Sequence, residues 1–233
     1  MKKMAALYVN GKIVIGDNHL IAYEKLSPED KASELATGFF NKQTGRFESD
    51  VSNDFFYNKE IFIMRHGATE NSIEDDPTLS KEGIQQIKNI AEKLKEFNCN
   101  GFFGFTSPFM RCLQTSQIIS QILEIKFEVF EELREYSCLT KEKSTIFLKN
   151  KSNLFPNFQW FTTKNWVIEP EPHGVLLKRI NNVLQALPNK SILISHCGLI
   201  SNFIKMATSE SSHCVHFANL TYIKNHEVTN LEL

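Results

Sequence analysis

No stretch of the 233-residue sequence approaches the ~18 consecutive apolar residues that a membrane-spanning helix needs. The opening Met1-Lys2-Lys3-Met4-Ala5-Ala6-Leu7 is basic and then apolar, but Asn10 and Lys12 cut the run short of a secretory signal. An excess of charge of one sign is also missing. Lys and Arg number 26 against 27 Asp and Glu, a formal net charge of −1. That excludes broad attraction to nucleic acid or to an anionic membrane and leaves room only for local positive patches. The five cysteines (Cys99, Cys112, Cys138, Cys197 and Cys214) are odd in number and have no CxxC spacing. A disulfide framework is therefore disfavoured against free thiols in a reducing compartment. Internal repeats and low-complexity tracts are absent too. These absences predict a cytoplasmic protein, with neither nucleic acid nor membrane as partner.

What is present is an ordinary globular composition, 42% hydrophobic and 23% charged, in a chain long enough for one large α/β domain or two small ones. Residues 1–58 differ from the rest. Tyr8 to Ile15 places an Asn10-Gly11 turn between β-prone flanks, which predicts a hairpin. Ser27-Pro28 reads as the cap and first position of a short helix. Asn41 to Asn58 is polar and turn-rich, the pattern of a linker or surface arm. We therefore expect an N-terminal extension over 1–58 and a catalytic domain over 59–233.

From Glu60 onward short apolar runs alternate with helical periodicity. Ile61 to Met64, Phe102 to Thr106, Phe127 to Phe130, Ser191 to Ser195 and Leu220 to Ile223 read as strands. Ser80 caps a segment with Ile84, Ile87, Ile90, Ala91, Leu94 and Phe97 at helical spacing. Ser107-Pro108 opens a second helix with Cys112, Ile119, Ile122 and Leu123 inward. Val175, Leu176, Ile180, Val183, Leu184 and Leu187 mark a third, ended by Pro188-Asn189, and Gly198 to Ile204 a fourth. This alternation predicts a three-layer α/β/α sandwich with a mainly parallel sheet.

Three polar clusters follow three of these strands directly: Arg65-His66-Gly67, Ser107 to Arg111, and His196. Ligands of an open parallel sheet bind beyond the carboxyl ends of its strands, so the topology brings two arginines and two histidines to one edge. That set suits a dianionic phosphate. Guanidinium groups grip phosphate oxygens bidentately and stay charged at any working pH. Their charge also pushes a neighbouring imidazole towards the neutral form that can attack phosphorus, and it neutralises the oxygens of a transferring phosphoryl group. Gly67 is expected to let the backbone pass close to the phosphate.

Here the sequence resembles a family. Met64-Arg65-His66-Gly67-Ala68-Thr69-Glu70 is similar to the RHGxT signature of the phosphoglycerate-mutase-like histidine phosphatases. Ser107-Pro108-Phe109-Met110-Arg111-Cys112-Leu113-Gln114-Thr115 resembles their SPxxRxxQT. Leu133-Arg134-Glu135 resembles the segment of the acidic residue, and Ser195-His196-Cys197-Gly198 resembles SHxG. The likeness spans roughly residues 59–225 with its motifs in the family's order. It implies a phosphomonoester hydrolase of the histidine acid phosphatase type that needs no metal or other cofactor. His66 would attack phosphorus and become phosphohistidine. Arg65, Arg111 and His196 would hold phosphoryl oxygens, with Thr69 and Asn71 as further contacts. Glu135 would serve as acid and then base, although Glu131 and Glu132 lie close enough to compete. The eighth position of the first signature, often Asn in the family, is Ser72, and the family's Gly-Glu-Ser is replaced by Pro172-His173-Gly174-Val175.

The substrate, a phosphorylated small molecule or phosphoprotein, is not legible, and neither is the oligomeric state. Thr140 to Glu171 is expected to cover the pocket, with Phe147, Phe155, Phe158, Trp160, Phe161 and Trp166 either packing or receiving an apolar leaving group. Lys178, Arg179 and the basic residues near 141–151 read as a solvated face. His213 and His216 have HxxH spacing but no second ligand pair, so no metal site is expected. Phosphoglycerate-mutase-type transfer and phosphate binding without turnover are the rival functions.

Overall fold

An unbroken apolar run can be a strand only where both of its faces are covered, and Ile61 to Met64 are all buried. In the computed structural model they lie in the middle of the sheet. It describes residues 4–9, 12–16, 22, 24–32, 35–41, 46–49, 59–71, 76–136, 144–146, 148–160, 166–168, 171, 173–208, 215–224 and 227–231. The N-terminal elements are β1 (Met4–Val9), β2 (Lys12–Gly16), α1 (Pro28–Ala32), β3 (Leu35–Asn41) and β4 (Arg46–Ser49). After them come β5 (Glu60–Arg65), α2 (Lys81–Glu96), β6 (Phe103–Thr106), α3 (Met110–Leu123), β7 (Phe127–Val129) and a 3-10 turn at Glu131–Leu133. Then follow β8 (Ser144–Ile146), α4 (Leu148–Leu154), β9 (Gln159–Trp160), β10 (Trp166–Ile168), α5 (His173–Ala186), β11 (Lys190–Ser195), α6 (Cys197–Thr208), β12 (Leu220–Lys224) and β13 (Glu227–Leu231).

The main sheet has seven strands in the order β13-β12-β5-β11-β6-β7-β9. Strands β5, β11, β6, β7 and β9 run parallel, while β12 and β13 join antiparallel at one side. Because successive strand residues face opposite ways, one apolar run feeds two cores. Phe62, Met64, Ile192 and Ile194 pack with Ile87, Ile90 and Leu94 of α2 and Cys112, Leu113 and Ile119 of α3. Ile61, Ile63 and Leu193 pack on the other face with Leu176, Ile180 and Val183 of α5 and Leu199, Ile200 and Phe203 of α6. The fold is thus the expected three-layer α/β/α sandwich. Among the described residues no helix is long and apolar enough to cross a membrane.

Several local readings need correction. Strands β1 and β2 pair with Val9 opposite Lys12, although the Asn10-Gly11 turn itself lies outside the described residues. They belong to a four-stranded antiparallel sheet, β2-β1-β3-β4, so β4 occupies part of the segment expected to be linker. Val9, Ala22 and Leu26 pack against Leu177 of α5. In α2, Ser80 caps as expected, its Oγ accepting from Gly83 N at 3.0 Å, but Ile84 is 37% exposed and Phe97 39%. The buried stripe is Gly83, Ile87, Ile90, Ala91 and Leu94. Ser107-Pro108 does not start α3, which begins at Met110 without a side-chain cap.

Glycine spacing explains how α2 sits. A Cβ on Gly67 would fall 2.7 Å from the Gly83 carbonyl oxygen, and one on Gly83 would fall 2.0 Å from that of Ala68. The first turn of α2 therefore rests backbone-to-backbone on the loop that follows β5. Gly67 is needed for this packing, a different reason from the close approach of a phosphate expected from sequence. Gly83→Ala is expected to destabilise the protein by about 1–3 kcal/mol through overpacking, although alanine is worth about 1 kcal/mol more than glycine in a helix. Urea unfolding of the variant tests this, and unchanged or raised stability would refute the contact.

Candidate active site

Register is what brings the histidines together. Parallel pairing sets Arg65 beside Ser195, and His66 N donates to Ser195 O at 3.1 Å. The next residue of each chain therefore leaves the sheet next to the other. The rings of His66 and His196 stand 5.2 Å apart, edge to face, and both residues are buried. On the other side of β11, Ser107 N donates to Ile194 O at 3.0 Å, and the turn that follows carries Arg111 in the first turn of α3.

Arg111 touches both rings. Its Nε donates to His66 Nε2 at 3.1 Å, and its Nη2 lies 3.2 Å from His196 Nδ1. A guanidinium can only donate, so these two ring nitrogens are acceptors and the tautomers follow. His66 carries its proton on Nδ1, donated to the Gly67 carbonyl at 2.8 Å. His196 carries its proton on Nε2, donated to Ser107 Oγ at 2.8 Å. Burial, with Arg111 and then Arg65 adding positive charge, pushes the His66 imidazole down from 6.5 to about 3. Burial first and Arg111 next also hold His196 well below its ordinary value. Both rings are neutral at any physiological pH, and His66 Nε2 offers a lone pair.

Arg65 reaches across the mouth. Its Nη1 donates to Val215 O at 2.8 Å, and its guanidinium lies 3.9 Å from the centroid of Phe217, a ring 42% exposed. Arg65 Nε and Arg111 Nη1 are buried and hydrogen-bond to none of the described residues. Arg111 Nη1 does lie 3.6 Å from Asp76 Oδ1, close enough for charge attraction but beyond a hydrogen bond. Two guanidinium donors without an acceptor among the described residues, beside an unprotonated imidazole nitrogen, form a site for an oxyanion.

Glu135 approaches from the loop after the 3-10 turn. Its Oε1 accepts from Tyr136 N at 2.7 Å and from Gly198 N, in the first turn of α6, at 3.2 Å. Burial raises its carboxyl above the ordinary value, opposed by the Tyr136 hydrogen bond and by Arg111. Glu131 and Glu132 act electrostatically on Arg134 instead. Arg65, His66, Arg111, Glu135 and His196 thus converge. Thr69 forms an isolated β-bridge with Leu79, and Asn71 is exposed. Ser72, Cys138, Phe147, Phe161, Pro172 and His213 lie outside the described residues, and His216 is exposed.

Other contributors escaped the sequence reading. Ser107 orients His196. Asp76 accepts from Met110 N at 2.7 Å and pairs with Lys151. Lys151, expected on a solvated face, is buried. So is Arg179, which pairs with Glu171 at 2.5 Å and donates to the carbonyls of Glu132 and Arg134, bracing the loop that carries Glu135. Only the buried partner, Asp76 for Lys151 and Glu171 for Arg179, distinguishes these charges from surface ones, and no local pattern reveals it. Phe155 and Phe158 do not line the pocket. They stack in the core beside Phe127, and Trp160 Nε1 donates to Phe155 O at 3.2 Å.

The family model described as the histidine phosphatase superfamily (branch 1) matches residues 61–233. A 77-residue stretch is 36% identical to the transcription factor tau 55 kDa subunit of Saccharomyces cerevisiae, covering 28% of this chain but only 18% of that protein. The uncharacterized phosphatase PhoE of Bacillus subtilis is 24% identical over 143 residues, 58% of this chain and 69% of its own. Among solved structures, the ecdysone phosphate phosphatase of Bombix mori in complex with tungstate superposes with a TM-score of 0.56 at 12% identity, covering 75% of this chain and 92% of that one.

The neutral histidines have a consequence for stability. A base whose folded pKa is depressed binds fewer protons in the fold than in the unfolded chain. Its contribution is intact above about 6.5 and is lost as pH falls from there towards about 3. For His66 this costs roughly 1.4 kcal/mol per pH unit across that window. Thermal melts at pH 7.5, 6.5 and 5.5 are expected to show a smaller acid loss for His66→Asn than for the wild type. An equal loss in both would contradict the assigned neutrality.

Proposed function

The chain belongs to the histidine phosphatase superfamily, and on that premise we propose that it is a phosphomonoester hydrolase working through a phosphohistidine on His66. The observation that carries the reading is the single Arg111 guanidinium hydrogen-bonded to the facing nitrogens of both imidazoles. It leaves His66 Nε2 unprotonated and sets positive charge where phosphoryl oxygens would lie.

In the first step Arg111 Nε gives up its hydrogen bond to His66 Nε2 for a phosphoryl oxygen, and Nε2 forms a bond to phosphorus as the ester P–O bond breaks. The Gly67 carbonyl, accepting from Nδ1, keeps the ring oriented and stabilises the positive charge that develops on it. Arg65, Arg111 and His196 take the phosphoryl oxygens, the His196 ring turning a donor to them. Electrostatic stabilisation of this type is the principal means of catalysing phosphoryl transfer. Glu135 gives its proton to the leaving oxygen, a role that its raised pKa supports, because a carboxyl protonated further towards neutrality is a better-matched acid. Water then attacks the phosphohistidine, Glu135 takes back a proton, the P–N bond breaks and orthophosphate leaves. The electrostatic coupling of Glu135 to Arg111 and Arg65 favours it over Glu131 and Glu132. A phosphorylated substrate is consistent with the phosphatases to which the chain is similar, and a cytoplasmic setting fits the sequence composition. The short stretch between Glu135 and His196 favours hydrolysis over phosphoglycerate interconversion.

His66→Ala is expected to abolish both turnover and acid-labile phosphorylation of the protein, detectable by trapping with a radiolabelled ester. Glu135→Gln is expected to slow hydrolysis of an alkyl phosphate by about 10²–10⁴-fold. The first-turnover burst of nitrophenolate from p-nitrophenyl phosphate should be slowed far less, because nitrophenolate leaves without protonation. Wild-type hydrolysis of the alkyl ester should decline as pH rises through the raised Glu135 pKa, a limb absent from the variant. Efficient phosphoglycerate interconversion with little hydrolysis would instead favour the mutase, and phosphate binding without turnover of any ester would favour a binding protein.

A further inference from the structure

We propose that Lys151 is the counter-ion that keeps Asp76 from capturing Arg111, so that the Arg111 guanidinium stays free for a phosphate. The inference rests on the phosphatase reading and gives Asp76 and Lys151 to that site as positioning residues. Asp76 sits on the loop before α2, between two cations. Its Oδ1 accepts from Met110 N at 2.7 Å and stands 3.6 Å from Arg111 Nη1. Its Oδ2 takes the ammonium of Lys151, which also donates to Pro108 O at 3.1 Å. Lys151 comes from α4, so a segment remote in sequence fastens the turn that carries Arg111.

A lone carboxylate beside a guanidinium closes on it in a bidentate pair with contacts near 2.8 Å. Here that closure is missing: Arg111 Nη1 is buried, hydrogen-bonds to none of the described residues and stays at 3.6 Å. The reason is on the other oxygen. With Oδ2 committed to Lys151 and Oδ1 to the Met110 amide, the carboxylate has no free edge to present. Exposure of the three side chains is low, 8% for Lys151, 20% for Asp76 and 12% for Arg111, so solvent screens these charges weakly. Burial pushes the Lys151 ammonium below its ordinary value, and Asp76 is the charge that opposes this. Removing the ammonium would leave Asp76, still bonded to the Met110 amide, with Arg111 as its one cation among the described residues, in direct competition with phosphate.

The test is a double-mutant cycle on orthophosphate affinity, measured by titration calorimetry on wild type, Lys151→Met, Asp76→Asn and the double variant. Lys151→Met is expected to weaken binding about tenfold when Asp76 is present, the scale of one charge-assisted hydrogen bond. In the Asp76→Asn background the same substitution is expected to change affinity by less than about twofold. Lys151→Arg should bind like wild type. A loss of equal size in both backgrounds would mean that Lys151 contacts phosphate itself or only supports the fold, and the proposal would be overturned. It would be overturned equally by a Lys151→Met protein that binds normally. Should Lys151→Met not fold, Lys151→Gln carries the same comparison. A wild type that binds orthophosphate but hydrolyses no ester ends the phosphatase reading and leaves this cycle decisive. One that binds no orthophosphate overturns both.

Discussion

Everything at this site depends on one buried guanidinium lying between two imidazoles. Arg111 fixes the protonation of both rings because it can only donate, and its charge opposes any further proton on either. A cation of ordinary pKa in that position would lose charge as it was desolvated, whereas arginine keeps it. The sheet supplies the matching constraint. Parallel register between β5 and β11 leaves no alternative to His66 and His196 emerging side by side, and β6, hydrogen-bonded to β11, delivers the Ser107–Arg111 turn to the same edge. Geometry and charge therefore act together: the rings need the register to meet, and burial with the arginine beside them to stay neutral.

The parts of this arrangement that were legible in the sequence are those encoded locally. Apolar runs ending in Arg65-His66, Ser107 and Ser195-His196 announce strands with polar residues at their carboxyl ends, and the parallel-sheet rule converts that into convergence. What could not be read depends on partners that the fold, and no local pattern, brings together. Arg179 and Lys151 look like solvated charges until Glu171 and Asp76 are seen beside them. Phe155 and Phe158 look as suited to a lid as to a core until β9 is seen to extend the sheet and carry them under it. Ile84 fits the helical spacing, yet Gly83 occupies the contact with the β5 loop and turns Ile84 outward. Periodicity reports which faces of a helix are apolar, not which element reaches them first.

The proposed phosphate grip and the proposed acid are held by different means. Arg65, His66 and His196 stand on strand ends or one residue beyond them, where the backbone ladder fixes position. Glu135 is on a loop, and its place is set by side chains: Leu133 is buried, Ser195 Oγ donates to Leu133 O at 2.7 Å, and Arg179 donates to the carbonyls on either side of Leu133. A buried ion pair such as Arg179 with Glu171 is a poor source of stability, since desolvation offsets much of its attraction. Its effect here lies in direction. Glu171 occupies Nε and Nη2 of the guanidinium, which aims Nη1 at the two loop carbonyls. Those carbonyls sit immediately before Glu135, so the carboxylate inherits a backbone already fixed at two points, and the α6 amide at Gly198 fixes the third.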